Sequence, residues 1–439
     1  MNKFEFLNAD SAKFRLRRLR ILWAATSVIA LAAFSITPSF AKEPDSSRLT
    51  WVAAWQGSPM TGGTFFSPGC PSDVGLTNQT VRNIVYLSAG GDKVRVRISN
   101  AFGTTPLHVG AATVAVSASG AAVIPGTLRT LRFSGKTSVI IAADSEAQSD
   151  PVNLQIPPLT TLAVSVFLPD STGLATQHFL AVQTNYLGAG DTSVVTDGSG
   201  FTQTISCWMF VSGVDVRASP RLKGALVTLG DSITDGYLST VNANRRYPDV
   251  VARRLATRQG ETLSVSSAAI TGNELLTNRP IFPQFGVAIP SRLGRDVLLQ
   301  PNAKAVILLA GINDIGDVST TADVLIAVDQ QIILACHQAG LKIYGGTLTP
   351  FGGSTAIYGG NYGTPFGEQE RQKLNQWIRT SHAFDGVIDF DLALRDPANP
   401  TNLLPAYAGD PLHPNDAGYE VMGNIVDLGA ILRDISKDQ

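Results

Sequence analysis

An antiparallel β-sandwich or jelly roll, followed by an α/β unit on a mostly parallel sheet, is the architecture this sequence predicts, and three observations predict it. Between about Trp51 and Ser219 short apolar runs alternate with polar residues and are separated by Gly, Pro and Ser clusters, the period-two pattern of half-buried strands. After Pro220 short apolar runs alternate instead with stretches of helical spacing, which signals right-handed βαβ units. The chain of 439 residues, 44% hydrophobic, is long enough for two or three domains with ample core. These patterns divide it into a leader at 1–41, a β-domain at 42–219 and an α/β domain at 220–439.

The leader reads as an address. Lys13, Arg15, Arg17, Arg18 and Arg20 precede an apolar run from Ile21 to Ile36, and Ser39 and Ala41 supply small residues at a cleavage site. A signal peptide cut after Ala41 is expected, and with it an exported protein, periplasmic or extracellular. The run is short of the roughly twenty residues of a membrane span, and no stable membrane association is expected after cleavage. Export permits a disulfide between Cys70 and Cys207. Three pairings of the three cysteines are arithmetically open, but Cys336 sits in the apolar stretch Ile332 to Cys336 and is expected to be a buried free thiol.

In the β-domain, Lys93 to Ser99 alternates strictly after the turn Gly90-Gly91-Asp92, Leu162 to Leu168 is a second strand stopped by Pro169-Asp170, and Trp208 to Val211 begins a third. In the α/β domain strands are expected at Ala225–Leu229, Leu263–Val265, Ala305–Ala310, Leu341–Tyr344 and Val387–Phe390. Helices are expected at Asp249–Arg258, Ala322–Gln338, Glu368–Arg379 and Gly418–Leu432. A balance of Lys+Arg 34 against Asp+Glu 35, net charge −1, argues against nucleic-acid binding through counterion release and against a basic membrane-surface protein. The cysteines are too few for a disulfide scaffold and show no zinc-ligand spacing. No metal or cofactor is expected.

Chemistry should collect past the carboxyl ends of parallel strands, and the sequence is loaded there. The first strand runs into Gly230-Asp231-Ser232-Ile233-Thr234-Asp235-Gly236, where a tight turn can present the Ser232 hydroxyl with its own N–H free. Near the other end stands Asp410-Pro411-Leu412-His413-Pro414, whose carboxylate can hold the imidazole in the tautomer that accepts a proton from serine. Between them, Ala268-Ala269-Ile270-Thr271-Gly272-Asn273 offers a glycine N–H and Gly311-Ile312-Asn313-Asp314 a side-chain amide. The Ser232 and Gly272 N–H groups and the Asn313 amide would make three oxyanion donors, worth roughly 3–4 kcal/mol each in a tetrahedral intermediate.

These four blocks, in this order, closely resemble those of the GDSL or SGNH hydrolase family over roughly Gly224 to Leu432. The resemblance implies a flavodoxin-like three-layer α/β/α fold and a serine ester hydrolase without a metal. It assigns Ser232 as nucleophile, His413 as base, Asp410 as its orienting acid, and Gly272 and Asn313 as oxyanion positions. The chain departs from the family's second block at Ser267 and Ala269, which touches the geometry of that loop. Gly90 to Gly103 also resembles a β-domain that precedes the hydrolase in some secreted bacterial members.

Other residues have plainer readings. Asp231 should brace its turn, and Asp314 should be structural. His108, His178, His337 and His382 should be packed or surface residues, with His178 the one that could reach the cleft from the β-domain. The Gly/Tyr loop Phe351 to Gly367 is a candidate substrate-binding loop through Tyr358 or Tyr362. Trp51, Trp55, Phe65 and Phe66 could form a sugar platform but are more in keeping with a β-domain core. The expected function is deacylation, most simply deacetylation, of a carbohydrate or small ester, with a polysaccharide or small-molecule ester as partner. A lipase or thioesterase for longer acyl chains and a non-catalytic glycan-binding protein are the alternatives. Nothing in the sequence sets an oligomeric state.

Overall fold

Five parallel strands carry the α/β half: β1 (Leu222–Gly230), β2 (Thr262–Ala269), β3 (Ala303–Leu309), β4 (Lys342–Gly346) and β5 (Gly386–Ile388). They lie in the order 2-1-3-4-5, the flavodoxin-like order, whose switch point falls where β1 and β3 lead off to opposite sides. The computed structural model describes residues 51–63, 69–279 and 282–437; the predicted leader at 1–41, and Phe65 and Phe66, lie outside the described residues. Val227, Leu229, Val306 and Ile307 are wholly buried, as a sheet covered on both faces requires. The covering helices are α1 (Ser232–Asp235), α2 (Tyr247–Ala256), α3 (Ala322–Gln338), α4 (Thr355–Tyr358), α5 (Pro365–Thr380), α6 (Asp416–Ile425) and α7 (Leu428–Lys437).

The preceding half is an antiparallel sandwich. One sheet contains Trp51–Gln56, Val211–Arg217, Gly91–Asn100, Val152–Ile156 and Ser145–Gln148; the other has six strands, with Gln79–Tyr86 and Thr161–Leu168 near its centre. The strict alternation at Lys93–Ser99 places Val94, Val96 and Ile98 in a core shared with Val81, Val164 and Val166 of the facing sheet, all six fully buried. On the opposite face Arg95 bonds the buried Asp215 carboxylate at 2.9 Å. A third, small sheet pairs Thr176–His178 with Met60–Thr61 on one side and Trp208–Met209 on the other. A disulfide joins Cys70 to Cys207, Cα–Cα 6.0 Å, and Cys336 is a buried free thiol.

The two halves meet at the outer edge of β2. Val265 N–H donates to Ser88 Oγ at 2.9 Å, and Ser264 Oγ donates to the Ala53 carbonyl at 2.6 Å. Ser266 Oγ donates to Gln56 Oε1 at 2.9 Å, and Ala53 N–H to the Pro301 carbonyl at 3.1 Å. An edge strand presents a row of unpaired backbone groups; here Ser88 Oγ meets both those of Val265, and the β2 serine side chains bond the first strand of the sandwich.

Several elements differ from the sequence expectation. Trp208 to Val211 does not begin one strand: Phe210 has φ 62°, and Asn83 bonds both backbone groups of Met209, so the chain leaves one sheet there and enters another. β2 runs on to Ala269, beyond the expected Val265, making Ser267 and Ala269 strand residues in register with Thr228 and Gly230. The expected strand Val387–Phe390 stops at Ile388 because Asp389 accepts the Leu392 N–H at 3.0 Å and caps a helix over Phe390–Leu394. The single closing helix is two: Val426 is extended at ψ 117°, and Asp427 caps the second by accepting the Ala430 N–H at 2.9 Å. The Gly/Tyr loop is not structureless, since it contains α4 and ends at Pro365, the first residue of α5, whose N-cap Thr364 accepts the Gly367 N–H. Trp55 is core, edge-on to Trp208 at 4.9 Å, and Trp51 carries the Arg95 guanidinium over its ring, so neither forms the sugar platform considered above.

The bridge spans a sequence separation of 137, and loops of that length lose most from an opened link. Cys207→Ser, or reduction, should lower stability by about 2–5 kcal/mol in urea melts; an unchanged midpoint would mean the bridge does not form in solution.

Candidate active site

The strand-to-helix turn after β1 is built by three residues. Gly230 has no room for a side chain, as a Cβ there would lie 2.5 Å from the Leu309 carbonyl. Asp231 is extended and accepts the Ile233 N–H at 3.0 Å, the bracing role expected of it. Ser232 then opens α1, where first-turn N–H groups lack intrahelical acceptors. Its Oγ lies 2.9 Å from His413 Nε2, across a sequence separation of 181.

His413 is set by Asp410. The turn brings Asp410 Oδ1 onto the backbone N–H groups of Leu412 and His413, both at 2.7 Å, and Oδ2 to His413 Nδ1 at 3.1 Å. With a carboxylate facing Nδ1, the network assigns the ring proton there and leaves the Nε2 lone pair towards Ser232. Burial pushes the Asp410 pKa up, but the His413 ring, the Tyr358 hydroxyl and the backbone bonds outweigh it and bring it down to about 2. The Tyr237 ring stands edge-on to His413 at 4.7 Å.

The other two blocks are tied to this centre. Asn313 Nδ2 donates to the Asn273 carbonyl at 2.9 Å, and Asp314, structural as expected, accepts the N–H groups of Leu275 and Leu276. Gly272 has φ +75°, and a Cβ on it would lie 2.6 Å from the Phe285 ring, so both conformation and space demand glycine. Thr271 donates both its N–H (2.9 Å) and its hydroxyl (2.8 Å) to Asp235 Oδ2 on α1. Burial together with the Asp314 and Asp235 charges raises the Asp231 pKa to about 7, against the opposing Ile233 N–H.

Tyr358 and Tyr362 are placed differently from the substrate-contact expectation. Tyr358 Oη donates to Asp410 Oδ2 at 2.6 Å and lies 3.2 Å from His413 Nδ1. Tyr362 is buried and donates to Asn313 Oδ1 at 2.8 Å. Both brace the site's polar residues from behind. His178 is fully buried on Asp235 at 3.0 Å, whereas His108 and His337 form exposed pairs with Asp170 and Asp385. Sequence reasoning missed Arg292, which spans the Gly230 carbonyl (3.2 Å), the Ala268 carbonyl (2.7 Å) and Asn273 Oδ1 (3.0 Å). It thereby ties two strand exits to the glycine loop. Its segment has no motif to reveal it; Asp235, by contrast, stood inside the first block.

Residues 228–421 match the GDSL-like Lipase/Acylhydrolase family. Among solved structures, a GDSL-like lipase from Bacteroides thetaiotaomicron is 18% identical, covering 49% of this chain and 89% of that one, with a TM-score of 0.36. A lipase/acylhydrolase from Enterococcus faecalis is 20% identical over 48% and 96% of the two chains, TM-score 0.34. A family two carbohydrate esterase from Clostridium thermocellum, solved in complex with cellohexaose, is 13% identical over 87% of this chain and all of that one (100%), TM-score 0.36. No curated protein matches the sequence.

Tyr358→Phe removes the hydroxyl that Asp410 accepts, and should lower kcat on p-nitrophenyl acetate by about tenfold while KM holds. A raised KM at unchanged kcat would instead make the ring a substrate contact.

Proposed function

We propose that the chain, whose residues 228–421 form a GDSL-like lipase/acylhydrolase domain, is an exported serine carboxyl-ester hydrolase that deacylates a carbohydrate or small ester. The observation that carries this reading is the Ser232 Oγ–His413 Nε2 contact of 2.9 Å backed by Asp410. His413 takes the Ser232 proton as Oγ attacks the ester carbonyl carbon, and the carbonyl electrons move to oxygen. That oxyanion is met by the N–H groups of Ser232 and Gly272 and by the second Nδ2 hydrogen of Asn313, the first being spent on Asn273. Collapse expels the alcohol, which takes its proton from His413; water then attacks the acyl-enzyme by the same route and frees the acid and Ser232.

A sugar ester is favoured by the half-buried Tyr237 ring beside the base, which pairs an apolar face with a hydroxyl group. Export is supported by the basic and apolar leader and by the Cys70–Cys207 bridge, since disulfides persist in oxidising compartments.

Ser232→Ala should abolish hydrolysis of p-nitrophenyl acetate with the thermal midpoint retained, and a fluorophosphonate should label Ser232 in the native protein. Absence of both would leave a binding protein. Asn313→Ala should lower kcat by about 100-fold, the scale of one oxyanion donor. Across acetylated sugars and p-nitrophenyl esters of rising chain length, rates should favour the acetyl esters; a preference for long acyl chains would make it a lipase or thioesterase.

A further inference from the structure

The sandwich reaches the active-site turn through a polar contact made by His178. His178 ends the strand Thr176–His178 of the small sheet and is 3% exposed. Its Nδ1 lies 3.0 Å from the Ser58 carbonyl and its Nε2 3.0 Å from Asp235 Oδ1. A carbonyl and a carboxylate accept, so a hydrogen on each ring nitrogen, the imidazolium form, satisfies both partners. The other oxygen of Asp235 takes both bonds from Thr271, the residue before Gly272. The chain of contacts therefore runs from the β-sandwich through an imidazole ring and a carboxylate to the loop whose N–H would meet the oxyanion.

A second, apolar contact reaches the same loop. Phe179, next in the chain, packs with Met60 and Ile270 in a small buried cluster, and its ring lies 6.0 Å from that of Phe285, the ring pressed on Gly272. Residues on both sides of Thr271-Gly272 are thus held by the sandwich.

We propose that His178 is a positioning residue for ester hydrolysis: as a buried cation it fixes Asp235, and through Thr271 the Gly272 N–H. This rests on the reading of Ser232 as nucleophile and Gly272 as oxyanion donor. Besides Asp235, the groups facing the ring are Arg246 and the Trp208 ring at 5.3 Å. Arg246 donates from Nε to the Asp235 carbonyl and is paired with Asp249 at 3.4 Å; Tyr86 and Asp249 also line the small cavity between the halves. Burial pushes the His178 pKa down, but the Asp235 charge and hydrogen bond and the Ser58 carbonyl push it up further, with Arg246 opposing, so it stands above the ordinary 6.5. The sign follows: the clamp contributes fully below about pH 6.5 and is lost as pH rises through the raised value. A neutral ring would turn a lone pair on one of its two acceptors.

Steady-state kinetics on p-nitrophenyl acetate from about pH 5 to about pH 10 test this with the full chain. The wild-type rate should decline on the alkaline side as His178 loses its proton. His178→Gln should lower kcat by about 10- to 100-fold, the cost of a misplaced donor, keep KM within about twofold and lose the alkaline decline. Thr271→Val, which removes one of the two bonds to Asp235 at the far end of the link, should lower kcat by about threefold at unchanged KM, and decides the matter if His178→Gln does not fold. An unchanged kcat in the variant that folds, or an alkaline decline that persists in His178→Gln, would overturn the proposal. Absence of Ser232-dependent hydrolysis in the wild type would overturn the functional reading itself.

Discussion

An open sheet edge is the constraint from which the rest of this molecule follows. β2 lies at the end of the 2-1-3-4-5 order, and its outward backbone groups need partners that a flavodoxin-like sheet does not supply. Ser88 meets both backbone groups of Val265, and the β2 side chains of Ser264 and Ser266 bond outward to the strand Trp51–Gln56. Because β2 leads directly into Ile270-Thr271-Gly272, whatever covers that edge also determines where the glycine emerges. The sandwich is built into the α/β half at the strand that matters most to the chemistry.

Around Ser232 the structure gathers several carboxylates and gives each a different environment. Asp410 receives an imidazole, a tyrosine hydroxyl and two backbone N–H groups and is held near 2. Asp231 is buried with one N–H and like-charged neighbours and rises to about 7, as does Asp314 by burial against its two N–H bonds. Environment assigns the work: one carboxylate stays ionised beside His413, while the others brace turns. Asp235 is distinct in taking its partner, His178, from the other half of the chain.

Much of this was legible because local pattern and long-range packing agree. Continuous apolar runs such as Ala305–Leu309 need two covered faces, and the motif residues lie where those runs end. The parts that were not legible depend on partners distant in sequence. Asn83 breaks the run at Met209 by binding its backbone, and Asp427 interrupts a helical period that Val421 to Leu432 otherwise sustains. Tyr358 and Tyr362 look like loop residues, yet Tyr358 at the end of α4 and Tyr362 in the turn after it reach Asp410 and Asn313. Arg292 is buried because the Asp296 carboxylate pairs with it and three carbonyl-type acceptors from two strands and a loop converge on it, a convergence that periodicity does not encode.

The covalent bridge has a reach that its position in the sandwich does not advertise. Cys207 directly precedes Trp208, and Trp208 is the register partner of His178. A newly made chain that has yet to meet an oxidant would assemble this corner without its staple, one residue from the strand pair that bears on the glycine loop. The bridge thus fastens the chain immediately before the strand that holds His178 in register, so a link made deep in the sandwich bears on the loop that ends β2.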